Sequence, residues 1–446
     1  MKRRATAWRF FVQSCSMANI QHSTMNIQRS SRAPRGFPWM LNVECSLLNV
    51  PRIVLRAVSI FLLAAVLTGC ASIREPAIVF TGDIMVDGPN AIEHGPKKDK
   101  VLWQYRTAAA AMRRGQFDLA KRYLDDALLT LGGIYGPDKE AKRARGYFHE
   151  EARKTFIGEP YERVMAYYYR GILYWMDGEP DNARACFRSA ALEDTGTQDE
   201  QYAADYAILD YLDGLATTKL GGDGSDAFQR ADKESRLSKL PSYNSKANVI
   251  FFLESGRGPT KYAGGEYGEQ LRFRDEPSPA RNATISVAGQ NLTAGPVDDL
   301  VFQATTRGGR MMDFVLGNKA VFKSATSSIG DVGIIGGAVL MGSQHGRHNA
   351  GDEVGLGLLA AGLLSKALSA ATTPDADVRS WDNLPRYLTF ATLSLPPGQQ
   401  TAKIEFQDAA GRPLPGLTKT VTFTVPADGK DKIVFVSDQS VTPINL

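Results

Sequence analysis

Cysteine is scarce in this chain. Its 446 residues hold four, Cys15, Cys45, Cys70 and Cys186; the first three belong to the N-terminal segments read below as leader and acylation site, so Cys186 is left without a disulfide partner and packed cores must carry the fold. Only five histidines occur. His345-x2-His348 has one-turn ligand spacing but sits in a polar stretch beside Asp352 and Glu353 with no cysteine near, and reads as structural or solvated. His149-Glu150-Glu151 is not followed by the second histidine of a zinc-protease helix. Gly256-Arg-Gly-Pro-Thr-Lys261 misses the spacing of a phosphate loop, and Pro259 removes an N–H such a cradle would use, so it reads as a turn between strands. No Ser-His-Asp or Cys-His context stands out, and Cys186, beside Phe187, reads as a buried inert thiol. No catalytic residue, metal site or cofactor is expected. An apolar run of roughly 20 residues, enough to span a bilayer, is also missing.

What the chain does have is a short apolar run in a telling place. Arg52 and Arg56 precede Ala57–Val66, where Ser59 is the only polar residue, and the run closes on Leu67-Thr-Gly-Cys70. A basic flank, a short apolar core and small residues at the end make a secretory signal peptide over 52–69. Its ending resembles the bacterial lipoprotein box, which implies acylation of Cys70 and cleavage just before it. An ordinary signal peptide or a short anchor helix is the alternative. Ala71 after the cysteine, rather than Asp, leans toward the outer membrane. Residues 1–51 scatter arginines among Ser, Asn and Gln without a helical or strand period, and read as a non-structural leader, with Met40 as the expected natural start.

Charge follows from this division. The leader and signal peptide hold nine of the 52 basic residues and one of the 48 acidic ones, so the remaining chain is net −4 rather than +4. Its charge gives no reason to expect nucleic acid as a partner.

Residues 70–98, rich in Gly, Pro and Asp, read as a tether. From 99 to 240 apolar residues recur at helical spacing. Gly171-x2-Tyr174-x3-Gly178-x4-Ala183-x3-Phe187-x2-Ala190 resembles the tetratricopeptide repeat. Small residues at Gly171 and Ala183 allow two antiparallel helices to approach, and Tyr174 and Phe187 fill the space toward the next pair. Weaker copies surround Gly115 (Ala108, Ala120, Leu124, Ala127) and Gly221 (Gly214, Ala227, Ala231). A further helical stretch, 138–156, interrupts the array. It ends in Phe156-Ile-Gly-Glu-Pro-Tyr-Glu-Arg163, where Gly158 can close a helix and Pro160 and Glu162 suit the start of the next. This phrase, with Asn248–Lys261 and Arg379-Ser-Trp-Asp-Asn-Leu-Pro385, resembles an uncharacterised family of tetratricopeptide-like bacterial envelope lipoproteins. The resemblance implies a lipid-anchored repeat protein and brings no catalytic residues.

After Pro241 the period shortens. Strands are expected at 248–254, 270–274, 284–288 and 300–305, then at 387–395, 401–406, 419–425 and 432–436, the last four as an antiparallel meander. Between these groups, 331–373 is rich in Gly and Ala and reads as a helical hairpin with small faces, Gly333-x3-Gly337 and Gly357-x3-Ala361, suited to packing or self-association. The expected class is α+β and multidomain: a helical-repeat domain at 99–240, then an antiparallel β-rich domain at 243–446 carrying the hairpin.

Tyr161, Tyr167, Tyr168, Tyr169, Tyr174 and Trp175 cannot all face one core from one helix. Tyr161, Tyr167, Tyr168 and Tyr169 are candidate partner-binding residues, with packing against a neighbouring helix as the alternative. The functional expectation is a lipid-anchored periplasmic scaffold or adaptor that binds envelope proteins through its repeats. A secretion or pore component using the Gly-rich hairpin, and a cell-envelope enzyme, are the rival readings.

Overall fold

Asp83 starts the first helix among the described residues. Its carboxylate accepts from Met85 N at 3.0 Å and satisfies a donor that has no partner inside the helix, Ile84–His94 (α1). The tether expected over 70–98 therefore contains a helix. Gly88 is a contact point within it: a Cβ there would collide with Thr107 Oγ1 on the next helix. The computed structural model describes residues 78–134, 155–195, 202–244, 246–306 and 376–446.

Six more helices follow among the described residues before the first strand: Lys100–Arg113 (α2), Phe117–Ile134 (α3), Pro160–Met176 (α4), Pro180–Glu193 (α5), Ala207–Lys219 (α6) and Ser225–Glu234 (α7). They pack as hairpins α2/α3, α4/α5 and α6/α7. The turns of the three hairpins carry glycine at positive φ, Gly115 (68°), Gly178 (78°) and Gly221 (81°), where an L side chain is strained. A Cβ on Gly171 would lie 2.5 Å from the Phe187 ring, so glycine sets the close approach of α4 and α5. Phe187 is fully buried, as expected, whereas Tyr174 is only half-buried, with the Arg170 guanidinium 3.5 Å from its ring centre. Glu159 and Glu162 form a reciprocal capping box at the start of α4, with Pro160 in its first turn.

The strands are Val249–Ser255 (β1), Thr260–Gly264 (β2), Gln270–Arg274 (β3), Asn282–Val287 (β4), Gln290–Ala294 (β5) and Asp298–Asp299 (β6). After the short helix Leu300–Thr305 (α8) come Tyr387–Leu393 (β7), Gly398–Gln407 (β8), Lys419–Val425 (β9), Lys432–Ser437 (β10) and Ile444–Asn445 (β11). One sheet has the order β10-β1-β7-β6, the second β11-β9-β8-β4-β5, and β2-β3 forms a separate hairpin. β1 pairs parallel with β10 (Val249↔Lys432) and antiparallel with β7 (Val249↔Leu393).

The expected meander over 387–436 is corrected: β8 and β9 pair antiparallel, but β7 and β10 flank β1 in the other sheet. The segment 300–305, expected as a strand, is helix α8, because Asp299 Oδ1 caps it by accepting from Val301 N at 2.8 Å. The expected hairpin at 331–373 lies outside the described residues.

Val249, Phe251 and Leu253 of β1 point into a core shared with β4, β8 and β9, which makes the two sheets a sandwich. Ile250 and Phe252 point the other way, into a core shared with α2, α4 and α6. The described chain is thus three layers: helical hairpins, first sheet, second sheet. It is α+β, with a helical-repeat region followed by a β-rich region, and the change near residue 240 is one of secondary structure within a shared core.

Candidate functional site

Three stretches that stood out in the sequence meet at one buried point. Glu162, in the first turn of α4, has both carboxylate oxygens engaged. Oε2 accepts from Lys261 Nζ at 2.5 Å and from Glu159 N at 2.6 Å, and Oε1 accepts from Trp381 N at 2.7 Å. Lys261 Nζ also donates to Arg379 O at 2.9 Å. The two side chains are 2% and 0% exposed, so a buried charge pair is compensated by hydrogen bonds on both partners. Arg379 pairs with Asp377 and Asp99, each at 2.6 Å. The Trp381 ring stacks on Tyr105 of α2 at 4.5 Å. The phrases 156–163, 248–261 and 379–385 are therefore one clasp that ties helices to strands.

A second knot lies between helices and first sheet. Glu254 Oε1 accepts from Arg113 Nε at 2.6 Å, and Oε2 accepts from Tyr169 OH at 2.5 Å. Burial raises the Tyr169 phenol well above its ordinary range, with the neighbouring Glu254 charge adding to the shift, so it stays a neutral donor. In both knots each glutamate's oxygens are occupied and both pairs are buried, which leaves no accessible base at either point.

Of the four candidate partner-binding tyrosines, Tyr161, Tyr168 and Tyr169 are 1–2% exposed and pack inside the protein, in line with the alternative reading given for them. Tyr161 meets Phe273 edge-on at 5.8 Å, Tyr168 meets Phe252 at 6.1 Å and Tyr169 meets Phe435 at 6.1 Å. The inner face of the repeats is filled by the protein's own β layer. Tyr167 alone of the four keeps partial exposure.

Burial pushes the Cys186 thiol up to about 11, which makes it a poor nucleophile. Gly256 N donates to Asp438 Oδ2 at 2.8 Å and Gly258 N to Leu384 O at 2.9 Å, so the Gly256–Lys261 stretch is a turn whose glycine N–H groups are already used. Among the described residues no cluster of metal-ligating side chains forms. Cys70, His149, His345 and His348 lie outside the described residues.

The open surface is on the second helices of the hairpins. Leu129 on α3 (76% exposed) follows Ala120 at the same interval as Leu192 on α5 (71%) follows Ala183, so two large apolar side chains project from equivalent repeat positions. Two clefts flank these helices. One, of about 480 Å3, lies between the hairpin turns and β9–β10 and is lined by Phe117, Lys121, Met176, Lys432 and Ile433. The other, of about 500 Å3, lies among α5, α6 and α7 and is lined by Phe187, Arg188, Asp213, Arg230 and Lys233.

The clasp partners Lys261 and Trp381, and the Arg113–Glu254 pair, were not foreseen as contacts. Glu162 was readable as a helix-start residue, but its partners lie 99 and 219 residues away in the chain, and no local pattern carries that pairing. Comparison with known proteins adds no relative: no family model matches the chain, and neither a curated protein nor a solved structure matches it significantly.

Proposed function

We propose that the protein is a scaffold or adaptor of the cell envelope, anchored by a lipid on Cys70 at the outer membrane and facing the periplasm. The observation that supports it best is the pair of exposed leucines, Leu129 and Leu192, at equivalent positions of successive repeats. Exposed apolar side chains repeated along an array suit a protein partner laid across the outer helices. Each sits on the second helix of a hairpin whose first helix, α2 or α4, is tied to the β layer by a buried ionic knot, a rigid support for such a surface.

Photocrosslinking from positions 129 and 192 in cells tests this reading. The expected result is the same envelope protein captured from both positions and lost when Leu129→Ser and Leu192→Ser are combined. Crosslinks only to further copies of the chain would assign the surface to self-association instead. If neither position captures protein, and the purified chain turns over a cell-wall or phospholipid substrate, the adaptor reading fails. The anchor has its own test: mass spectrometry of the processed chain should show an acylated Cys70 at its N-terminus, absent in Cys70→Ser.

A further inference from the structure

Exposed apolar side chains also gather where the described fold begins. Val79 is 82% exposed and Phe80 52%, and Phe80 stacks on Trp103 at 5.1 Å. Val378 is 45% exposed and Tyr262 40%. Contacts link these residues into one region of the surface. Ile78 lies against Gly95, three residues before Lys98, whose carbonyl and neighbour Asp99 receive the Arg379 guanidinium. Arg379 O accepts from Lys261 Nζ, next to Tyr262, and Ala376 N donates to Gly268 O in the turn between β2 and β3.

We infer that this region, with Val79, Phe80 and Val378 at its centre, rests in the interfacial layer of the phospholipid membrane that holds the Cys70 lipid. The inference rests on the anchored reading above. Eight residue steps separate Cys70 from Ile78, which limits the start of the fold to about 28 Å from the acylated residue. A tether that short keeps the start of the fold, and the apolar side chains gathered there, within reach of the bilayer. Apolar and aromatic side chains with a polar rim suit the boundary between headgroups and acyl chains. The rim carries both signs: Lys98, Arg106 and Arg379 stand with Asp99, Asp377 and Asp382, and around Tyr262 Arg272 and Arg274 are matched by Glu266 and Glu269 of the β2–β3 turn. Apolar burial rather than attraction to anionic lipid therefore drives the contact, and added salt should leave it intact.

The test uses the full processed chain in vesicles of phosphatidylethanolamine and phosphatidylglycerol, with Cys186→Ala to remove the other thiol. A fluorophore is placed at Val79→Cys or, as a control on the second sheet, at Gln290→Cys. Lipid-borne quencher should reduce the signal at position 79 several-fold more than at 290, equally at low and high salt. With the reporter moved to Val378→Cys, adding Val79→Asp should lower its quenching, while circular dichroism stays unchanged. Equal quenching at 79 and 290 overturns the inference, as does quenching at 79 that salt abolishes. Mass spectrometry of Cys70 reads the anchor separately. Selective quenching at 79 without an acyl chain would support the membrane-facing region and overturn the anchor.

Discussion

The two sheets of the sandwich are built from similar strands and live in different surroundings. β1 is buried at every position, with the helices on one side and the second sheet on the other. β9, in the second sheet, alternates buried residues with exposed or half-buried ones along its length, Lys419-Thr-Val-Thr-Phe-Thr-Val425. A strand covered on both faces needs an unbroken apolar run, and one covered on a single face needs alternation. The difference also sets where the molecule tolerates change. Mutations in the layer between helices and first sheet should be costly, and those on the open face of the second sheet should be nearly silent.

The clasp over the first sheet is the harshest place to test this. Lys261→Ala leaves Glu162 as an uncompensated buried charge and should cost about 3–5 kcal/mol in urea unfolding. Lys261→Met combined with Glu162→Gln should recover part of that loss, because the buried charge is removed while an acceptor is kept. A loss below about 1 kcal/mol for Lys261→Ala would mean that the layer is not tightly closed.

Phe252→Ala comes next. Its ring is 1% exposed beneath Tyr168, and the cavity should cost about 3–4 kcal/mol. Amide exchange should accelerate in α4 as well as in β1. Acceleration confined to β1 would show that the helices do not share that core.

Asp298 sits at the edge of the first sheet and accepts from Ile208 N, at the start of α6, at 2.8 Å. Burial pushes its carboxyl up to about 7, with Asp205 and Asp194 adding to the shift. The folded state thus holds this proton more tightly than the unfolded one, so the group's contribution is complete below pH 3.8 and lost as pH rises through about 7. Asp298→Asn should flatten the stability profile across that window and raise stability at pH 8 by on the order of 2 kcal/mol. A variant with the same pH profile as the parent would remove Asp298 from this account.

Thr424→Ala, at an exposed position on the outer face of β9, should change stability by no more than about 0.5 kcal/mol. A loss comparable to that of Phe252→Ala would break the comparison between the sheets, since it would show that the outer face is covered in solution.

Much of this was readable from the residues. The Gly171–Ala190 pattern marks α4 and α5 because helix pairing leaves a local periodic trace, and β9 declares itself by alternation. The helix beyond Asp83 is hidden within a stretch rich in Gly, Pro and Asp, because composition does not show that Gly88 is placed for close packing against Thr107. The burial of Tyr161, Tyr168 and Tyr169 was not legible, because a helix wheel cannot show that strands from later in the chain cover the inner face. The Glu162–Lys261 and Arg113–Glu254 pairs were invisible for the same reason: their partners are distant in the chain, and charged residues read by default as solvated.

The parallel pairing of β1 with β10 has a consequence for how the protein is made. Val249 and Lys432 meet only after everything between them has been synthesised, so the central sheet closes late and through long-range contacts, which are slow to form. Until β7 and β10 arrive, Tyr211, whose ring meets Phe390 of β7 at 4.5 Å, and Tyr169, whose ring meets Phe435 of β10, lack the strands that cover them. A chain emerging from its N-terminus would display that sticky face for the longest part of its biogenesis, which makes it a natural client for a chaperone that shields apolar helices before the last strands dock.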